Sequence, residues 1–190
     1  MLRMLTAAAV LVVLAGTAFL RNGLWHGAGV YEDAAAKSPA KSRVWNNLGN
    51  YWSAADDTAA AVRAYEQAGR LDEKNPGPWI NLGILLAEAG KPAEALAYFE
   101  QALRIDSLLP DVWFDLGHVL AGQSRHEEAI EKYRRAVQLD PGYVAAWNNL
   151  GLSQQALGLR REAEASYRRA LEIDPGFGPA RTNLNSLYYQ

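Results

Sequence analysis

Tryptophan recurs at Trp45, Trp79, Trp113 and Trp147, each 34 residues after the last. Leu48, Leu82, Leu116 and Leu150 keep the same step, as do Gly49, Gly83, Gly117 and Gly151. A pattern of several residues returning at one fixed period constrains a chain more than composition can. A single copy of this length cannot bury its own apolar face, so successive copies must stack. The punctuation repeats as well. Pro78 suits the first turn of a helix, where a missing N–H costs nothing. Gly90 and Gly158 can take the positive φ that ends one, Pro92 opens the next, and Asp174-Pro175-Gly176 reads as an exit turn. The expected fold class is therefore all-α, built from antiparallel helix pairs. Four repeats are expected at 42–75, 76–109, 110–143 and 144–177, followed by a capping helix over 178–190.

Within each pair the residue types have steric assignments. A glycine inside a helix costs about 1 kcal/mol relative to alanine. Its return at one phase implies a close helix approach worth more than that. Ala61, Ala95, Ala129 and Ala163, with Ala68, Ala102, Ala136 and Ala170, fit the same role. The aromatics Tyr65, Phe99, Tyr133 and Tyr167 are expected to fill the space between neighbouring repeats, as are the tryptophans from the first helices. A tryptophan stripe at this spacing is core. In the cap, Asn183, Leu184 and Tyr188 continue the first-helix phase, and Arg181, Thr182, Asn185, Ser186 and Gln190 give a face that tolerates water.

About half of the 190 residues are apolar and the formal charge is −2. A substantial core follows, and no block of like charge points to nucleic acid. The absence of cysteine removes disulfides, thiolate metal sites and a cysteine nucleophile together. No phosphate-binding glycine loop and no His-Glu-x-x-His is present. His26, His118 and His126 match no metal spacing. No catalytic residue, metal or cofactor is expected, and His118, one helical turn from Asp115, reads as a hydrogen-bonding groove residue.

Met4 to Leu20 is uncharged and bounded by Arg3 and Arg21. As a helix it spans roughly 26 Å, at the short edge of a bilayer core of about 30 Å. We expect residues 1–21 to form one transmembrane anchor, with the rest extracytoplasmic, facing the periplasm. The alternative is a cleaved signal peptide ending near Gly16-Thr17-Ala18, releasing a secreted chain. Stepping back 34 residues from Tyr65 and Ala68 reaches Tyr31 and Ala34, so 22–41 reads as a leading half-repeat.

Trp-x-x-Leu-Gly, then alanine, an aromatic, alanine and proline at a 34-residue period resembles the tetratricopeptide repeat. Residues 42–177 match it, although Glu73 and Ser107 stand at the exit-proline phase of the first two copies. The resemblance implies a right-handed superhelical solenoid whose first helices line a concave groove for an extended or helical segment of a protein partner. Asn47, Asn81, Asp115, Asn149 and Asn183 would face that groove, where an asparagine amide can pair with a ligand peptide group. Asn46, Asn50, Ile80, Ile84, Phe114, His118, Asn148 and Leu152 would be at least partly accessible beside them. Ile80, Ile84, Phe114 and Leu152 would form an apolar floor. Glu88, Asp111 and Asp115 would make the middle acidic.

Some members of the family hold a partner's terminal carboxylate with groove cations. Here Asn46, Asn50 and Asn81 fit the neutral positions, but Asp111 and Asp115 stand where the cations would be. A partner with apolar anchors and a basic residue is expected instead, and packing of the stack against copies of itself is a further option. The junction Arg21-Asn22, Trp25, Lys37-Ser38-Pro39 and Asn47-Leu48-Gly49 also resembles that of multi-spanning glycosyltransferase-like membrane proteins with a C-terminal repeat tail. On that alternative the chain is the tail of a truncated or split enzyme.

Overall fold

The computed structural model describes residues 29–188. The expected membrane anchor at 1–21, the start of the half-repeat and the last two residues lie outside them. Among the described residues no helix is long and apolar enough to cross a membrane, and there is no strand.

The described chain divides into two compact units, one ending at Glu73 and the other starting at Lys74. In the first, α1 (29–37) precedes the pair α2 (Ser42–Ala54) and α3 (Thr58–Leu71). Ala35 of α1 is buried with Leu48 and Ala64, against Val44, Trp45 and Trp52. The second unit holds α4 (Gly77–Glu88), α5 (Pro92–Ile105), α6 (Pro110–Gly122), α7 (His126–Leu139), α8 (Val144–Ala156), α9 (Arg160–Ile173) and α10 (Gly178–Ser186). Each odd-numbered helix from α5 to α9 packs on the even-numbered helix before it.

Glycine and aromatic lock each pair. A Cβ built on Gly83 would stand 2.5 Å from the Phe99 ring, and one on Gly117 would stand 2.7 Å from that of Tyr133. These aromatics, expected to fill the space between neighbouring repeats, therefore also pack within their own pair. Each ring lies first on the glycine of its own pair. Tyr133 then extends into the next, in a buried cluster with Ala146 and Leu150. The eight phase-locked alanines are all fully buried, at 0% exposure, since any larger side chain would push the helices apart.

The helix ends are built alike. Lys91, Arg125 and Leu159 donate backbone N–H bonds to the carbonyls of Leu86, Leu120 and Gln154, five residues back. This closes the first helix of each pair with a left-handed residue just before the bond. That residue is Gly90 or Gly158 at φ 72°, but Ser124 at φ 59°, and Asp56 at φ 58° takes the same phase in the first unit. A residue with a Cβ is strained there. Ser124→Gly is expected to raise stability by about 0.5–1 kcal/mol, read as a higher urea midpoint at unchanged slope.

The tryptophans do more than pack. Trp45, Trp113 and Trp147 donate their indole N–H to the carbonyls of Pro39, Ser107 and Pro141, six residues back, at 2.9–3.0 Å. In the cap Arg181 stands at the tryptophan phase and donates to the Pro175 carbonyl. Each bond ties an exit turn to the helix that follows it. Among the described residues the buried Trp79 indole N–H has no partner, and its ring stacks on Tyr98 at 5.9 Å.

Candidate functional site

The fourteen candidate groove residues fall in both units. Asn46, Asn47 and Asn50 lie on α2 of the first. Asn47 and Asn50 are exposed and Asn46 is half-buried. Asn50 accepts a hydrogen bond from the Tyr65 hydroxyl at 2.7 Å, so one of its acceptor sites is already used.

In the second unit the 34-residue step puts three rows along α4, α6 and α8. The first row is Ile80, Phe114 and Asn148. The second is Asn81, Asp115 and Asn149, continued by Asn183 on α10. The third is Ile84, His118 and Leu152, and every member of it is exposed. Ile84 and Leu152 keep 39% and 42% of their surface open, although a buried alternative would favour both.

Asn148 departs from its expected place. It is buried, and its amide accepts from the Asn183 side chain at 2.9 Å and donates to Asn149 at 3.1 Å. Asn149 is also hydrogen-bonded to the Tyr133 hydroxyl. An unpaired amide inside the last interface would be costly, so these asparagines satisfy one another and hold the cap. Polar ties continue there. Tyr167 donates to Gln155 at 2.8 Å, and Ser166 donates to Gln154 at 2.7 Å. At the α10 end, Tyr188 donates to Glu164 at 2.7 Å.

The middle of the unit is different. Phe114 stacks on His118 at 6.3 Å and lies 5.8 Å from Tyr133 and 5.0 Å from Tyr143. Tyr143 escaped the sequence reading because it stands in an exit turn, at the phase of Leu109 and Phe177. Only the apolar character shared by those three residues hinted that the position packs inward. Its hydroxyl is hydrogen-bonded to Asp111, and its pKa is raised by burial first, then by that bond and by the surrounding carboxylates. Burial pushes the Tyr133 hydroxyl up to about 12, with the Asn149 bond opposing and Asp115 adding to the rise.

Asp115 lies half-buried, close enough for its charge to act on Tyr133 and Tyr143. Burial, and then the charge of Asp111 one turn away, push its carboxyl up to about 6. It opens on a cleft of about 620 Å³, a size at which small ligands or side chains are held. Ile84, Ala87, Glu88, Pro92 and Phe99 line one wall, and His118, Val119 and Gln123 line the other with Asp115. The expected acidic middle is therefore a shaped recess, and it brings together Ile84, Asp115 and His118 of the candidates. Among the described residues no group of three or more metal-ligating side chains could hold an ion.

A tetratricopeptide-repeat family model matches residues 80–144 and 114–176, and a second such model matches 53–106. No curated protein matches the sequence. Among solved structures, a crystal structure of MamA superposes with a TM-score of 0.74 at 21% identity, covering 82% of this chain and 91% of that one. MamA from Desulfovibrio magneticus RS-1, from residue 41 to its end, gives 0.71 at 19% identity, over 78% and 84%. YrrB, described as a TPR protein with an unusual peptide-binding site, gives 0.71 at 23% identity, over 88% and 87%. At these identities the likeness is one of fold.

Proposed function

The chain belongs to the tetratricopeptide-repeat family, and from that premise we propose that it is a protein-interaction scaffold whose second unit holds a segment of a partner along α4, α6 and α8. One observation carries this reading. Ile84, His118 and Leu152 stand exposed at one phase on three successive first helices, beside the half-buried Phe114 and the Asp115 cleft. Scattered apolar residues at a surface carry no meaning, but Ile84 and Leu152 in one row, with Phe114 beside it on the repeat between them, suit an amphipathic or extended ligand. The amides of Asn148, Asn149 and Asn183, hydrogen-bonded to one another and to Tyr133, leave less backbone-reading capacity than an asparagine ladder suggests. Recognition therefore falls on the apolar row and on the carboxylates.

The uncharged run from Met4 to Leu20 supports a tether that holds the scaffold at a membrane, with the repeats on the extracytoplasmic side. The resemblance to a glycosyltransferase tail rests on the junction residues alone.

The test is selection of peptides from a random display library on the full chain. Ile84→Asp and Leu152→Asp are each expected to weaken the selected peptides at least about tenfold, while Arg168→Ala, on the opposite helix row, leaves them unchanged. Equal losses from the three variants would place binding elsewhere and sink the proposal.

A further inference from the structure

The cleft between the α4–α5 pair and α6 has one sign of charge and apolar walls. Asp115 and Glu88 both line it. Among the described residues neither takes part in an ion pair. The nearest cation in sequence is Lys91, and it is held by Glu94 at 3.4 Å. The recess also opens at the C-terminal ends of two helices. Gly90 follows the end of α4, and Gly122 closes α6. A helix C-terminus carries a partial negative charge that a basic residue in the last turn usually meets. Neither α4 nor α6 has one. Two carboxylates and two helix ends thus converge on a space floored by Ile84 and Val119, with no cation of the chain's own to answer them.

Resting on the groove reading above, we propose that this cleft receives one basic side chain of the bound segment, its aliphatic stem on Ile84 and Val119 and its cation toward Asp115 and Glu88. Long basic side chains combine these two needs, an apolar stem and a charged head. The half-buried position of Asp115 makes the contact selective, because a carboxylate withdrawn from water gains more from a cation than an exposed one does. The titratable and charged groups around Asp115 are Asp111 and His118 on its own helix, Glu88 on α4, Tyr133 on α7 and Tyr143 at the start of α8. All but His118 are acids or phenols, so the field favours a cation from every side but one.

The probes are N-acetyl-leucyl-arginine amide and N-acetyl-leucyl-citrulline amide, alike in shape and different in charge. N-acetyl-leucyl-lysine amide distinguishes guanidinium from ammonium. Each is titrated against the full chain carrying labelled isoleucine and valine methyls. The arginine probe is expected to shift the Ile84 and Val119 methyl resonances saturably, with the citrulline probe at least about tenfold weaker. Asp115→Asn should abolish that preference. With Asp115 titrating at about 6, arginine affinity should fall about tenfold between pH 7 and pH 5 as the carboxylate is protonated. His118→Gln removes the other group in the cleft able to gain positive charge, and it should keep most of that fall. Equal binding of arginine and citrulline, or an arginine preference that survives Asp115→Asn, overturns the cationic subsite while groove binding stands. Selected peptides indifferent to Ile84→Asp and Leu152→Asp overturn the groove reading itself.

Discussion

Gly151→Val is expected to lower the stability of the fold by about 3 kcal/mol, the upper range for overpacking a filled core. A Cβ at this position would stand 2.6 Å from Cε1 and 2.7 Å from Cδ1 of Tyr167. The tyrosine ring is fully buried, and its hydroxyl is held by Gln155, so it cannot swing away. Valine has a better helix propensity than glycine by a few tenths of a kcal/mol, which the clash outweighs. Urea unfolding reads the loss directly. Tyr167→Leu in the same chain empties space beside the new side chain. The double variant should be less destabilised than the sum of the two single changes. Simple additivity would mean that the glycine is present for another reason.

Asp115→Asn should act in the opposite direction, raising stability at pH 7 by about 1–2 kcal/mol. The folded carboxyl titrates at about 6 and its ordinary value is 3.8. Between those values the folded chain holds a proton that the unfolded chain has released. Stability is therefore lost as pH rises through this window, and the loss is complete above it. A shift of this size corresponds to about 3 kcal/mol if fully felt, and screening at a half-buried site lowers it to the range given. Asparagine keeps the shape and never ionises. The variant and the parent should differ little at pH 4 and diverge by pH 7, a comparison in which the other carboxylates cancel. A constant gap across that range would show that the charge of Asp115 is not what strains the fold. The same charge that weakens the empty protein is the one a bound cation would satisfy.

The frame of this protein is legible in its sequence because its steric roles admit few residue types. Only glycine accepts a ring lying on its Cα, so Gly83 and Phe99 announce each other at their fixed separation. The alanines at full burial are equally explicit. The asparagines are not, because an amide has the same appearance whether it faces water or another amide. Asn148 is buried because α10 offers Asn183, whereas the same phase holds Ile80 and Phe114 in the two preceding repeats. Its neighbour on the adjoining helix decides its role, and periodicity along one helix does not contain that neighbour. The left-handed turn was visible at Gly90 and Gly158 but hidden at Asp56 and Ser124, where tertiary packing overrides local preference. The acidic centre was readable as charge. The recess that gives it shape needed the ends of α4 and α6 to be placed side by side.

The bond from the Trp45, Trp113 and Trp147 indoles to the carbonyl six residues before each has a consequence for how such a chain can change. Donor and acceptor are set by a count of residues, independent of which residues lie between them. Ser107, Pro39 and Pro141 serve equally as acceptors, and arginine replaces tryptophan as donor in the cap. Spelling in the turn is free, but an insertion or deletion of a single residue would misalign the bond and the helix after it. The design therefore tolerates rewriting of its exposed letters and resists any change of spacing, which leaves the ligand-facing rows open to new specificities on an unchanged ruler.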